Sequence, residues 1–177
     1  VYVSAASSWQ RVFDFGTGTA TCIFLTIKNG STGTPRFAIK VSNGTEQQLT
    51  SSVALPTGAW THLAVTLSGT TGTLYVNGVA RCVNTAMTWN PSSLGSTTVN
   101  YIGRSQYSAD PYFSGRVDDF RILYYAMSAS QIASLASGLP PPDGLAATAG
   151  NKQVALTWSA TSGATGWRGR PGTTTAS

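Results

Sequence analysis

Asn-Gly pairs at positions 29-30, 43-44 and 77-78 break this chain into short segments, and that punctuation constrains its fold most. Asn and Gly tolerate the positive φ angles of a tight hairpin turn, so Asn-Gly between apolar runs signals paired strands. The intervening runs have strand character: Arg11-Val-Phe-Asp-Phe-Gly16, Thr21-Cys-Ile-Phe-Leu-Thr-Ile27 and Thr34-Pro-Arg-Phe-Ala-Ile-Lys-Val41. Residues 45–50 form a polar run suited to a sheet edge. Trp60-Thr-His-Leu-Ala-Val-Thr-Leu67, Leu74-Tyr-Val-Asn-Gly-Val-Ala80 and Val99-Asn-Tyr-Ile-Gly103 follow, with a loop over 84–97 that carries Trp89. The pattern predicts an all-β fold, a two-sheet antiparallel sandwich, with Trp60, Leu63 or Ala64, Val65 and Leu67 feeding its core.

Residues 113–127 read as a long closing strand. Gly115 opens it, Val117, Phe120, Ile122 and Tyr124 supply its apolar character, and Asp118-Asp119 interrupts it. Ser128 and Gln131 have the spacing of a capping box, which predicts one short helix near 128–137 pinned by Ile132 and Leu135.

Gly115-Arg-Val-Asp-Asp-Phe-Arg-Ile-Leu-Tyr124 with Ala126-Met-Ser-Ala-Ser-Gln-Ile132 resembles the final strand of laminin-G-like, concanavalin A-like jelly-roll modules of bacterial secreted proteins. The hairpin from Trp60 to Ala80 and Tyr101-Ile-Gly-Arg-Ser105 resemble two further strands of that family, in the same order. The resemblance implies a jelly-roll sandwich over 1–137 that lacks the family's first strands. An open strand edge of that kind predicts pairing with a second copy, a homodimer. It also implies a structural Ca²⁺ near the last strand, with Asp118 at the position of the family's acid. Residues 138–144 are a Pro-rich linker. Residues 145–166 resemble the first strands of a fibronectin type III module with Trp158 at its core, and 167–177 continue no strand pattern.

Charged residues make up only 10% of the 177, while Gly, Ser and Thr abound, as in secreted, turn-rich sandwiches. Val1-Tyr-Val has neither a basic start nor an apolar core, so a secretion signal is expected upstream of Val1. No apolar run approaches the roughly 20 residues of a membrane helix. The formal charge of +5 does not indicate nucleic acid: Lys152, Arg168 and Arg170 lie in the C-terminal segment and the other cations are scattered singly. Cys22 and Cys82 each sit in a strand-like run. A Cys22–Cys82 disulfide suits a secreted domain, and two buried thiols are the alternative.

Catalysis is poorly supported. Glycoside hydrolysis needs two carboxylates across a cleft, and adjacent Asp118 and Asp119 would point to opposite faces of a strand. The single histidine, His62, has no Gly-x-Ser-x-Gly nucleophile motif to serve, and one histidine with two distant cysteines gives no zinc spacing. Sugar binding remains. Pyranose faces stack on Trp or Tyr, while amides, Arg and Asp bond the hydroxyls. Two loops have that composition: Ser7-Ser-Trp-Gln-Arg11, contributing Trp9 and Arg11, and Arg104 to Tyr112, contributing Arg104, Gln106, Tyr107, Asp110 and Tyr112. Trp89 is a further candidate. The expectation is therefore a non-catalytic, lectin-like module of a secreted bacterial protein that binds a polysaccharide. The rivals are an adhesion spacer without a sugar site and, less favoured, a glycoside hydrolase fragment.

Overall fold

The strand-like runs of residues 11–50, with Val99–Ile102, build a five-stranded antiparallel sheet in the computed structural model, which describes residues 1–138 and two later strands. Its order is β5 (Gln47–Thr50), β4 (Arg36–Lys40), β3 (Thr21–Thr26), β2 (Arg11–Gly18) and β9 (Val99–Ile102). A three-stranded antiparallel sheet holds β6 (Leu63–Ser68), β7 (Thr71–Val76) and β8 (Val79–Asn84). A third, two-stranded sheet pairs β1 (Tyr2–Ala5) with β10 (Ser114–Arg116).

Strand alternation sorts the large sheet into two faces. Register pairs Phe13 with Leu25, Leu25 with Phe37 and Phe37 with Leu49, and this row faces the second sheet. There Val12, Ile23, Leu25, Ile39 and Leu49 close on Leu74, Met87 and Leu94 as one buried core. Each fully buried aliphatic side chain contributes about 1.5–3 kcal/mol, so this interface holds the sandwich together. The opposite row, Tyr101–Asp14–Phe24–Ala38–Gln48, faces outward.

Turn chemistry acts as expected at Asn77-Gly78, where both residues have positive φ (49° and 77°) and Val76 pairs directly with Val79. Asn29-Gly30 behaves differently. Asn29 is fully buried and organises a longer loop: its amide donates to Thr34 O and Thr32 Oγ1, and its Oδ1 accepts from the backbones of Ser31 and Thr32.

The helix forms as α1 (Ala129–Ser137), with the Gln131 side chain accepting from Ser128 N and Ser128 Oγ accepting from Gln131 N. Ile132 is its buried anchor, while Leu135 is 40% exposed.

Three expectations are corrected. The closing strand is only Ser114–Arg116; beyond it no strand of the described residues runs alongside to take the backbone hydrogen bonds, and residues 117–127 are irregular. Phe120 still reaches Phe13 and Phe15 edge-on, but Ile122, Tyr124 and Tyr125 are exposed. Trp60 is half exposed, edge-on to Tyr2 at the β1 bridge rather than in the core. The Cys22–Cys82 disulfide does not form. Cys22 lies on the outward face with Phe24 and Ala38, whereas Cys82 packs against the core between the sheets, so a layer of β-sheet separates them.

The chain divides into two compact units, Val1–Ser137 and Gly138–Ser177. In the second, β11 (Ala146–Gly150) and β12 (Gln153–Thr157) form an antiparallel hairpin. Trp158, most of the Pro-rich linker and residues 167–177 lie outside the described residues.

Candidate functional site

The outward face of the five-stranded sheet carries a cleft of about 190 Å³ lined by Trp9, Arg11, Phe24, Glu46, Tyr107 and Asp110. Its floor is Phe24, buried because its strand neighbour Asp14 and the guanidinium of Arg11 lie over the same face. Arg11 stands 4.0 Å above the Phe24 ring centroid, a stacked cation-π arrangement that suits a planar guanidinium.

Arg11 is 2% exposed, and a buried cation persists only when paired. Its Nε contacts Asp14 Oδ2 at 3.4 Å, its second terminal nitrogen contacts Asp110 Oδ2 at 3.2 Å, and it donates to Trp9 O at 3.0 Å. Asp14, fully buried, also accepts from Gln106 N at 3.1 Å and Gln106 Nε2 at 3.0 Å. Ser105 Oγ donates to Asp110 at 2.7 Å and in turn accepts from Tyr107 N. Burial raises the Asp14 carboxyl above its ordinary range, against the opposing pull of the Gln106 amide and Arg11. Sealed from solvent, Asp14 positions Gln106 and Arg11.

The walls differ in kind. Trp9 adopts φ 68°, a left-handed conformation costing about 1–3 kcal/mol for a non-glycine residue, and its N–H donates to Lys28 O at 2.7 Å. The guanidinium groups of Arg11 and Arg36 each lie 5.5 Å from its ring centroid. Tyr107 stands on the opposite loop with its hydroxyl on Thr19 O at 3.2 Å. Glu46 faces Arg36 at 3.9 Å. Trp9, Tyr107, Glu46 and Asp110 all remain partly exposed. The cleft therefore offers aromatic surface, hydrogen-bond acceptors and two carboxylates, Glu46 and Asp110.

Of the residues singled out from sequence, Trp9, Arg11, Tyr107 and Asp110 line this cleft and Gln106 supports it. Trp89 packs against the core and Gly44 instead. Arg104 and Tyr112 gather elsewhere on the sheet with Tyr101. Phe24 and Glu46 were missed: Phe24 reads as ordinary strand core, and Glu46 as a solvated edge residue. His62 lies just before β6, and burial lowers its pKa, as for a structural histidine.

Around Asp118, the acid expected beside a structural Ca²⁺, the side chains engage one another. Asp118 accepts from the amide of Asp119, and Asp119 pairs with Arg121 at 3.2 Å. Among the described residues no three His, Cys, Asp or Glu side chains gather as a group that could hold a metal ion.

Comparison with known proteins gives one family match. Residues 1–133 match the Laminin_G_3 model, described as the concanavalin A-like lectin/glucanases superfamily. No curated protein matches. Among solved structures, domain 4 of AbnA, an extracellular GH43 arabinanase from Geobacillus stearothermophilus solved with arabinotriose, is 24% identical with a TM-score of 0.66. The match covers 77% of this chain and 63% of that one. A SAP-like pentraxin from Limulus polyphemus, a native heptamer, is 17% identical over 72% of this chain and 62% of its own, with a TM-score of 0.50. Residues 221–444 of an S-layer domain-containing protein from Clostridium thermocellum are 36% identical over 77% of this chain and 70% of that one, with a TM-score of 0.40. This chain thus spans less than two thirds of the AbnA domain and of the pentraxin.

Proposed function

The chain belongs to the concanavalin A-like lectin/glucanases superfamily, and on that premise we propose that residues 1–137 are a non-catalytic carbohydrate-binding module of a secreted bacterial protein. The observation that carries this reading is the cleft itself. Trp9 and Tyr107 give apolar faces for a sugar ring, and Glu46 and Asp110 give acceptors for its hydroxyls. A Trp in a costly backbone conformation, with two cations near its ring at the rim of a cleft, is where stored strain serves binding. The small volume fits one sugar unit rather than a deep oligosaccharide channel, as expected for a module that grips a long chain at a point. In this reading residues 145–166 begin a fibronectin type III module in the same parent protein.

The test is retention on a panel of soluble polysaccharides by affinity electrophoresis. Arabinan heads the panel because AbnA domain 4 was solved with arabinotriose. The folded protein is expected to be retarded by one glycan class, and Trp9→Ala to abolish the retardation. A folded protein retarded by none would overturn the reading and leave the spacer. The exposed apolar run at Ile122, Leu123, Tyr124 and Tyr125 favours that second reading, a protein-contact module.

A further inference from the structure

A second cluster on the same sheet face lies outside the cleft. Arg104 stands 4.6 Å over the ring of Tyr101 and 5.8 Å from that of Tyr112. Tyr101 pairs in register with Asp14, and Asp14 with Phe24, so Tyr101 and the floor of the cleft share one face two strands apart, about 10 Å. The cluster is held from behind. The Gln10 side chain donates to Tyr112 O at 3.0 Å and Phe113 N to Gly103 O at 2.8 Å, which ties the backbone at Tyr112 to that just before Arg104. Tyr112 keeps 69% of its surface exposed.

The charges on this face are unevenly matched. Arg11 is paired with Asp14 and Asp110, and Arg36 with Glu46. Arg104 has no carboxylate within ion-pair distance among the described residues. A guanidinium framed by two phenol rings and lacking a counter-ion matches a carboxylate attached to a sugar ring: its fork bonds both oxygens while the tyrosines meet the ring face. The cleft has the opposite preference. Glu46 and Asp110 line it, and its guanidinium groups are already paired with carboxylates, so it offers an acidic unit no free counter-charge.

We infer that Tyr101, Arg104 and Tyr112 form a second subsite that takes a uronate, so that the ligand is a mixed glycan with a neutral unit in the cleft and an acidic unit beside it. This rests on the glycan-binding reading above. It separates mixed acidic glycans from neutral polymers and from polyuronates, in which every unit is charged.

The experiment compares glucuronoxylan, a glucuronate-bearing arabinogalactan and polygalacturonate, each native and after reduction of its carboxyl groups to alcohols, on the folded protein. A native mixed glycan is expected to bind about tenfold more tightly than its reduced form, the scale of one charge-assisted hydrogen bond. Arg104→Gln should bring that ratio to about one, and polygalacturonate should bind more weakly than either mixed glycan. Equal binding of native and reduced forms, a ratio that survives Arg104→Gln, or retention of neutral glycans alone would overturn the uronate subsite and leave the cleft standing. Retention of no glycan in any form would overturn both.

Discussion

Gly30 and the Trp9 indole are in contact so close that a methyl at Gly30 would lie 2.9 Å from Trp9 Nε1 and 3.1 Å from two ring carbons. The loop after β3 is thus the wall against which the indole rests. Gly30 has no positive φ, so its backbone accepts alanine and the conflict falls on the ring. Gly30→Ala is expected to weaken binding to the retained glycan about tenfold, with little change in Tm. Affinity electrophoresis beside thermal unfolding separates the two effects.

Arg11 is the keystone of the buried network, and removing its charge leaves Asp14 buried without a counter-ion. Arg11→Met should cost about 3–5 kcal/mol in urea denaturation. Arg11→Lys keeps the charge but loses the fork and the stacking over Phe24, and should fall between Arg11→Met and the parent.

Asp14 also makes a pH signature. Its folded pKa is raised above the ordinary 3.8, chiefly by burial, so the folded protein holds this proton to higher pH than the unfolded chain does. Its contribution to stability is greatest below 3.8 and is lost as pH rises through the raised folded value. Urea midpoints measured across that window should show a downward component with rising pH that Asp14→Asn removes.

The cysteines should behave unequally. Burial pushes the Cys22 thiol up to about 12, and it is fully enclosed, while Cys82 is partly exposed. A thiol reagent at neutral pH is expected to label Cys82 in the native protein and Cys22 only after unfolding. The intact mass without reductant should be that of two free thiols.

The exposed run at Ile122, Leu123, Tyr124 and Tyr125 has no strand beside it among the described residues and invites a second copy. Sedimentation velocity of the folded chain is expected to show concentration-dependent self-association. Ile122→Lys with Tyr124→Lys should shift it to monomer.

Most of the sandwich was legible because its signals are local. The short apolar runs of Thr21–Thr26 and Arg36–Lys40, and the Asn77-Gly78 turn, need no distant partner to be read. The closing strand was misread for the converse reason: alternation at Ile122 and Tyr124 shows a strand-forming sequence, but a strand exists only where another lies beside it. In the cleft, Trp9 and Tyr107 were found because they lie in polar loops. Phe24 was not, since a phenylalanine between Ile23 and Leu25 looks like core, and only register reveals that it faces the other way. Asp14 looked like one scattered acid among six until the loop 91 residues later closed over it.

The loop carrying Tyr107 is anchored at both ends: Ser105 and Gln106 to Asp14, Asp110 to Arg11, and Tyr112 to Gln10. Ser108 and Ala109 between them are exposed and carry none of these anchors. Framework and tip are therefore separable, as in an antibody's hypervariable loop, and the tip can be diversified in a display library while the buried ion network keeps the frame in place. A module built this way is a scaffold on which new recognition can be selected without redesigning its core.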